Sequence, residues 1–228
     1  MSRALRALSS TYVERRRRIA EGAALAGAGK RAAFALFYGP LHYLLVREIV
    51  RAIPGAAAHP ATIIDLGCGT GAAGAAWAAS FSAPPVVVGI DHHPWAASEA
   101  AWTYGVFGLS ANIQRQDIAR AALPKRPASF VAAFTLNELA DDEARETLLR
   151  RLVDRGARGD RVLIVEPIAR SVARWWDESR RVIVEAGGRA DEWRFRLELP
   201  PIVAKLDRAA GLDHRELTAR SLWLGPER

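Results

Sequence analysis

Short apolar runs recur along the middle of this chain and constrain its fold most. ATIIDL (61–66), PVVVGI (85–90), ANIQR (111–115), SFVAAFT (129–135) and RVLIVE (161–166) are separated by stretches with helical character at 72–80, 95–106, 140–155 and 168–186. The runs are continuously hydrophobic rather than alternating, as expected of strands buried on both faces. Strand and helix taking turns in this way predict an α/β architecture. The expected fold is a doubly wound, mostly parallel Rossmann-like sheet with right-handed crossovers.

The flanks are less regular. RFRLEL (194–199) reads as a strand or an extended lid, 201–210 as a helix ending at Gly211, and 214–225 as a last strand, antiparallel at the sheet edge. Ahead of the sheet, residues 3–27 look helical and exposed. Residues 31–53 carry apolar side chains at helical spacing, with a break expected at Gly39-Pro40. Two regions follow: a basic helical N-terminal extension over 1–58 and a ligand-binding domain over 59–228.

The charge is unevenly placed. Residues 1–55 hold ten basic side chains and three acids, a net of 10 − 3 = +7, whereas 56–228 balance at 22 of each. A basic segment attracts polyanions, so RNA is a candidate partner; a solvated basic helix is the plainer alternative. Residues 1–13 lack acids and resemble a transit peptide, but Glu14 and Glu21 interrupt that pattern, so the segment reads as part of the folded protein. No long uncharged apolar run suggests a membrane span, and no apolar core of a secretory signal is seen, which points to a cytoplasmic protein. A lone cysteine, Cys68, excludes a disulfide framework and any multi-cysteine metal site. His92-His93 lacks a third ligand at suitable spacing, so no metal site is expected.

The functional signal is TIIDLGCGTGAAG (62–74). Gly67, Gly69 and Gly71 strip the turn after the first strand of side chains, letting backbone approach a ligand where α/β sheets bind them. The following helix aims free N–H groups at the same place. Dinucleotide turns read G-x-G-x-x-G and seat a pyrophosphate, whereas this one reads G-C-G-T-G with Asp65 two residues ahead. An anion there suits a ligand with a positive centre. Asp91 ends the second strand, 20 residues after Gly71, where a carboxylate accepts bonds from ribose hydroxyls. Asp117 follows the third strand, where an adenine amino group would be read. Helix capping is the structural alternative for each acid.

IIDLGCGTG, GID at 89–91 and QDI at 116–118 together resemble the motifs of class I S-adenosylmethionine-dependent methyltransferases, over about residues 60–166. The resemblance implies S-adenosyl-L-methionine as cofactor. Gly67, Cys68, Gly69 and Gly71 would wrap its methionine portion and Asp91 would hold the ribose. His92, Asp117 and Ile118 would lie around the adenine. Cys68 reads as a small residue, not a nucleophile. GAAGAAWAA, LNEL and LIVEP also resemble the ribosomal small-subunit methyltransferase-like family linked to mitochondrial ribosome assembly, without that family's clustered cysteines.

Methyl transfer chiefly requires two aligned reactants and exclusion of water. The end of the fourth strand faces the methyl group in this fold, and here it reads FTLNELADDEA. Asn137 and Glu138 are the candidate catalytic residues, one to hold an exocyclic amine and one to take a proton. Capping of the next helix by Asn137 or Asp141 is the alternative. His42 and Tyr43 could close over the cofactor, or pack in the core. Trp175, Trp176 and Trp193 could stack on a base, or line a core or lid. The acceptor expected first is RNA, possibly ribosomal. A small molecule, or no acceptor in a cofactor-binding assembly factor, are the alternatives.

Overall fold

The computed structural model describes Leu5 and residues 25–58, 60, 62–139, 141–168 and 175–226. Most of the helix expected over 3–27 lies outside these residues. The mixed seven-stranded sheet runs in the order β3-β2-β1-β4-β5-β7-β6. Its strands are β1 (Thr62–Leu66), β2 (Val86–Asp91), β3 (Ala111–Arg115), β4 (Ser129–Ala133), β5 (Arg161–Glu166), β6 (Arg189–Phe195) and β7 (Leu217–Leu224). The first five are parallel, and β7 pairs antiparallel with both β5 and β6.

Two of the sequence expectations need correction. RFRLEL (194–199), expected as a strand or an extended lid, is a strand only at its start: β6 spans Arg189–Phe195, and residues 196–200 are irregular. β7 is not the edge strand: it lies between β5 and β6, and β6 forms the edge. Pairing on both sides explains why β7 is almost wholly buried while β6 is half-exposed.

Helices cover both faces. α1 (Ala28–Ala33), α2 (Gly39–Ala52), α3 (Ala72–Ala78), α4 (Pro94–Val106) and α7 (Pro201–Ala210) contribute to one apolar core, against Ile63, Val131, Leu163 and Val165. α5 (Asp142–Ala157) and α6 (Trp175–Glu185) pack on the other face, against Ile64, Phe130, Val162 and Ile164. Neighbouring residues of β1, β4 and β5 therefore point into different cores, as the pleat requires. The sequence shows this as unbroken hydrophobicity because both faces are buried. β3, by contrast, forms an edge of the sheet and is not buried on both faces as its run was expected to be.

The break expected at Gly39-Pro40 is instead a π-helical turn, Phe34–Tyr38, inserted between α1 and α2. The Gly39 N–H bonds back to the Phe34 carbonyl, five residues earlier. Widening the ladder just before Pro40, which has no N–H to donate, lets the chain stay helical through the proline. Gly39, Leu41, Leu45, Val46 and Ile49 of α2 are buried, and the Trp77 indole donates to the Ala56 carbonyl at 2.9 Å. The segment before β1 is thereby joined to α3 and the main core.

Candidate active site

The glycine turn is built as a cradle. Gly67, Gly69 and Gly71 all have left-handed backbones, with φ of 65°, 54° and 78°. The N–H groups of Gly67 and Cys68 both donate to the Ile90 carbonyl, at 2.8 and 3.1 Å, which ties the turn to the end of β2. A Cβ on Gly67 would lie 2.3 Å from Thr135 Cγ2, so the segment after β4 closes on that residue from the far side. Gly71 faces elsewhere: a Cβ there would press on Tyr104 and Ala100, so this glycine lets α3 pack against α4.

Asp65 is buried beneath the turn. Its Oδ2 accepts from the Gly74 N–H and from the Tyr104 hydroxyl, both at 2.8 Å. Burial raises its pKa to about 6 against the lowering effect of those two bonds. A Cβ on Gly74 would lie 2.6 Å from Asp65 Oδ2. Gly74 and Tyr104 are thus part of the site's support, and sequence reasoning passed over both. The signal was a glycine amid the alanines of α3, where a helix otherwise disfavours it.

Asp91, at the end of β2, is almost fully buried. Its Oδ2 accepts from the Gly69 N–H at 3.0 Å and its Oδ1 from the His93 N–H at 2.8 Å. Each carboxylate oxygen can accept further bonds, so the group both braces the turn and presents acceptors beyond it. The His92 side chain is 67% exposed, whereas His93 caps α4 by accepting from the Trp95 N–H at 3.2 Å. Asp117 closes a local turn by accepting from the Ala119 N–H at 2.9 Å, and Ile118 beside it is buried. Burial, with Asp65 and Asp91 near, pushes the Cys68 thiol well above its ordinary range, which suits a packing residue.

These groups meet around one cavity of about 470 Å³ at the carboxyl ends of the strands. Asp65, Gly67, Cys68, Gly69, Asp91, His92, Asp117, Ile118 and Glu138 all line it. Gly71 and Asn137 are not among its walls. Asn137 borders a second cavity of about 290 Å³. Its amide is already engaged: Nδ2 donates to Glu166 Oε2, and Oδ1 accepts from the Trp175 indole at 2.9 Å. Asn137 thus braces the β4 and β5 ends against α6, and Asp141 is the residue that caps α5, accepting from the Ala144 N–H at 2.7 Å.

The two cavities share the walls formed by His42, Phe134 and Glu138. Phe134 has a left-handed backbone, φ 60°, which is strained for a bulky residue. That turn at the end of β4 places its ring on His42, with centroids 3.9 Å apart and planes at 19°. Burial lowers the His42 pKa to about 3, so its imidazole is neutral. Tyr43 stacks on Phe107 instead. The tryptophans also serve packing: Arg220 lies over Trp176, 4.0 Å from the ring centre, and Trp193 stacks on Phe195 and donates to Ser221 at 2.8 Å.

Glu166, at the end of β5, is fully buried. Its Oε1 accepts from the Leu136 N–H at 2.8 Å, and burial raises its pKa to about 7. It too escaped the sequence reading, because a strand-terminal acid is unremarkable without its neighbours.

Residues 63–156 match the family model described as "Methyltransferase domain". No curated protein matches the sequence. Among solved structures, the chain resembles the N-methyltransferase NodS from Bradyrhizobium japonicum, a complex with S-adenosyl-L-homocysteine. Identity is 16%, coverage 81% of this chain and 85% of that one, and the TM-score 0.55. It also resembles magnesium protoporphyrin IX methyltransferase from Synechocystis PCC 6803 with bound S-adenosylmethionine. There the identity is 14%, the coverage 80% and 79%, and the TM-score 0.50. The mitomycin 7-O-methyltransferase MmcR is similar at 15% identity and a TM-score of 0.59, over 91% of this chain and 60% of that protein's length. Residues 63–156 thus match a methyltransferase domain, and the chain shares its fold with S-adenosylmethionine-dependent methyltransferases.

Proposed function

We propose that the chain methylates a small molecule, with S-adenosylmethionine in the larger cavity and the acceptor in the smaller one. The observation that carries this is the shared partition of His42, Phe134 and Glu138, which sets two cavities side by side at the strand ends. The chain's own features fit the cofactor. The Gly67–Gly69 turn offers left-handed, side-chain-poor backbone to the cavity, the Asp91 carboxylate offers acceptors for hydroxyls, and the Ile118 side chain offers an apolar surface for a base. When bound, the cofactor supplies an electrophilic methyl carbon on a sulfonium.

The chain's residues then have defined tasks. Gly67, Cys68 and Gly69 bind backbone to ligand, Asp91 orients the sugar, and His42 with Phe134 excludes water from the boundary between the cavities. Neutrality of His42 suits that position, because an imidazolium would repel a cationic cofactor.

A small acceptor is favoured over RNA by the size of the second cavity, about 290 Å³, and by its largely apolar walls, which include Leu41, Leu45, Phe134 and Leu217. Titration of the purified chain with S-adenosylmethionine and S-adenosylhomocysteine tests the cofactor. Incubation with methyl-labelled cofactor and cell extract separated into small-molecule, RNA and protein fractions tests the acceptor. Label in the small-molecule fraction is expected. Label in RNA would overturn the acceptor assignment, and cofactor binding without any labelled product would favour a non-catalytic role.

A further inference from the structure

Resting on that proposed function, we infer that the second cavity takes an acceptor bearing an acidic hydroxyl on a flat apolar body, and that His214 is the base that removes its proton. His214 lies in the loop between α7 and β7 and lines this cavity but not the larger one. It is held in place from two sides. Its Nδ1 lies 2.5 Å from Asp207 Oδ1, its backbone N–H donates to Asp207 Oδ2 at 2.9 Å, and its ring meets Phe37 edge-on with centroids 5.7 Å apart. Asp207 itself is buried on α7. With the Nδ1–H donating a hydrogen bond to this carboxylate, Nε2 is left as an acceptor. Among the described residues, Nε2 makes no hydrogen bond.

The remaining ionisable groups around the cavity have other partners or duties. Glu166 accepts from Leu136 and Asn137, Glu216 pairs with Arg196 at 3.0 Å and Arg194 at 3.9 Å, and His42 is stacked and neutral. Glu138 belongs to the partition with the cofactor cavity, and Tyr38 meets Phe37 edge-on with ring centroids 5.3 Å apart. An imidazole oriented by a buried carboxylate suits an acceptor that must lose its proton before it is a good nucleophile. A neutral amine has no such need, since its lone pair is already available. Tyr38, Leu41, Leu45, Phe134 and Leu217 supply the apolar walls, and about 290 Å³ suits a one- or two-ring body. In the step itself the acceptor O–H bond breaks, the proton joins Nε2, and the electron pair stays on oxygen. Asp207 stabilises the imidazolium that forms.

The test uses 4-nitrophenol, whose ionised form absorbs visibly, with the chain saturated by S-adenosylhomocysteine. Absorbance is followed from pH 5 to 9. Bound nitrophenol should ionise at least one pH unit below the free molecule. His214→Asn should abolish that shift, Asp207→Asn should diminish it, and both variants should retain wild-type affinity for S-adenosylhomocysteine, which also reports that they are folded. An unshifted titration in wild type, a shift that survives His214→Asn, or no nitrophenol binding would each overturn the inference. Failure to bind S-adenosylhomocysteine would instead bring down the proposed function on which it rests.

Discussion

Gly67→Ala offers the sharpest check on how the cradle is built, because its cost divides into two parts that a second substitution separates. Gly67 has φ of 65°, and a side chain in the left-handed region costs roughly 1–2 kcal/mol. The new Cβ would also lie 2.3 Å from Thr135 Cγ2 and 2.8 Å from Thr135 Oγ1. The turn cannot easily retreat, since the Gly67 N–H is bonded to the Ile90 carbonyl at 2.8 Å, so overpacking adds about 1–3 kcal/mol. The single variant should therefore lose about 2–5 kcal/mol in urea denaturation, a large share of a domain's stability. Thr135→Ala removes both offending atoms and leaves only Cβ, at 3.1 Å. Alone, it gives up the Oγ1 bonds to the Ala133 and Gly67 carbonyls, worth about 1 kcal/mol. In that background Gly67→Ala should cost only the backbone share, roughly 1–2 kcal/mol. Equal costs in the two backgrounds, within about 0.5 kcal/mol, would refute the claim that Thr135 closes the turn.

Asp91→Ala should weaken S-adenosylhomocysteine binding by two orders of magnitude or so, the size of two lost charge-assisted bonds at roughly 1.5 kcal/mol each; unchanged calorimetric affinity would count against Asp91 as the sugar's anchor. Glu166 has its pKa raised by burial to about 7 from 4.5, so the folded state holds its proton more tightly and the stability linked to this group falls as pH rises from about 4.5 to 7. Relative to Glu166→Gln, wild type should lose about 3 kcal/mol across that window, and parallel stability–pH curves would refute it. Asn137→Asp sets a second carboxyl against Glu166 in a buried setting and should destabilise by about 2–4 kcal/mol, more at pH 8 than at pH 5; a pH-independent effect in thermal melts would show that the two groups do not meet.

The parallel half of the sheet was legible because its signals are local. Apolar runs such as TIIDL and VVVGID carry their burial in their own composition, and a glycine run after an apolar strand marks a turn without reference to the rest of the chain. Asp65, Asp91 and Asp117 could be placed at strand ends for the same reason. The antiparallel end was harder. RADEWRF is half-exposed and mixed in polarity, so only its pairing with β7 makes it a strand. The π-helical turn was equally hidden, since helical spacing on either side of Gly39-Pro40 does not show how the ladder passes a proline.

Short contiguous segments carry the doubly wound sheet, the bare-backbone turn after β1 and the row of acids at the strand ends. Tertiary structure alone decided what those pieces do beside one another. It placed Tyr104 beneath Asp65 across 39 residues, engaged Asn137 with Glu166 across 29, and brought His42 against Phe134 to divide two cavities. The physical reason is that hydrophobic periodicity specifies which face of an element is buried, whereas a cavity is defined by the faces of several elements together, and no one segment encodes their meeting.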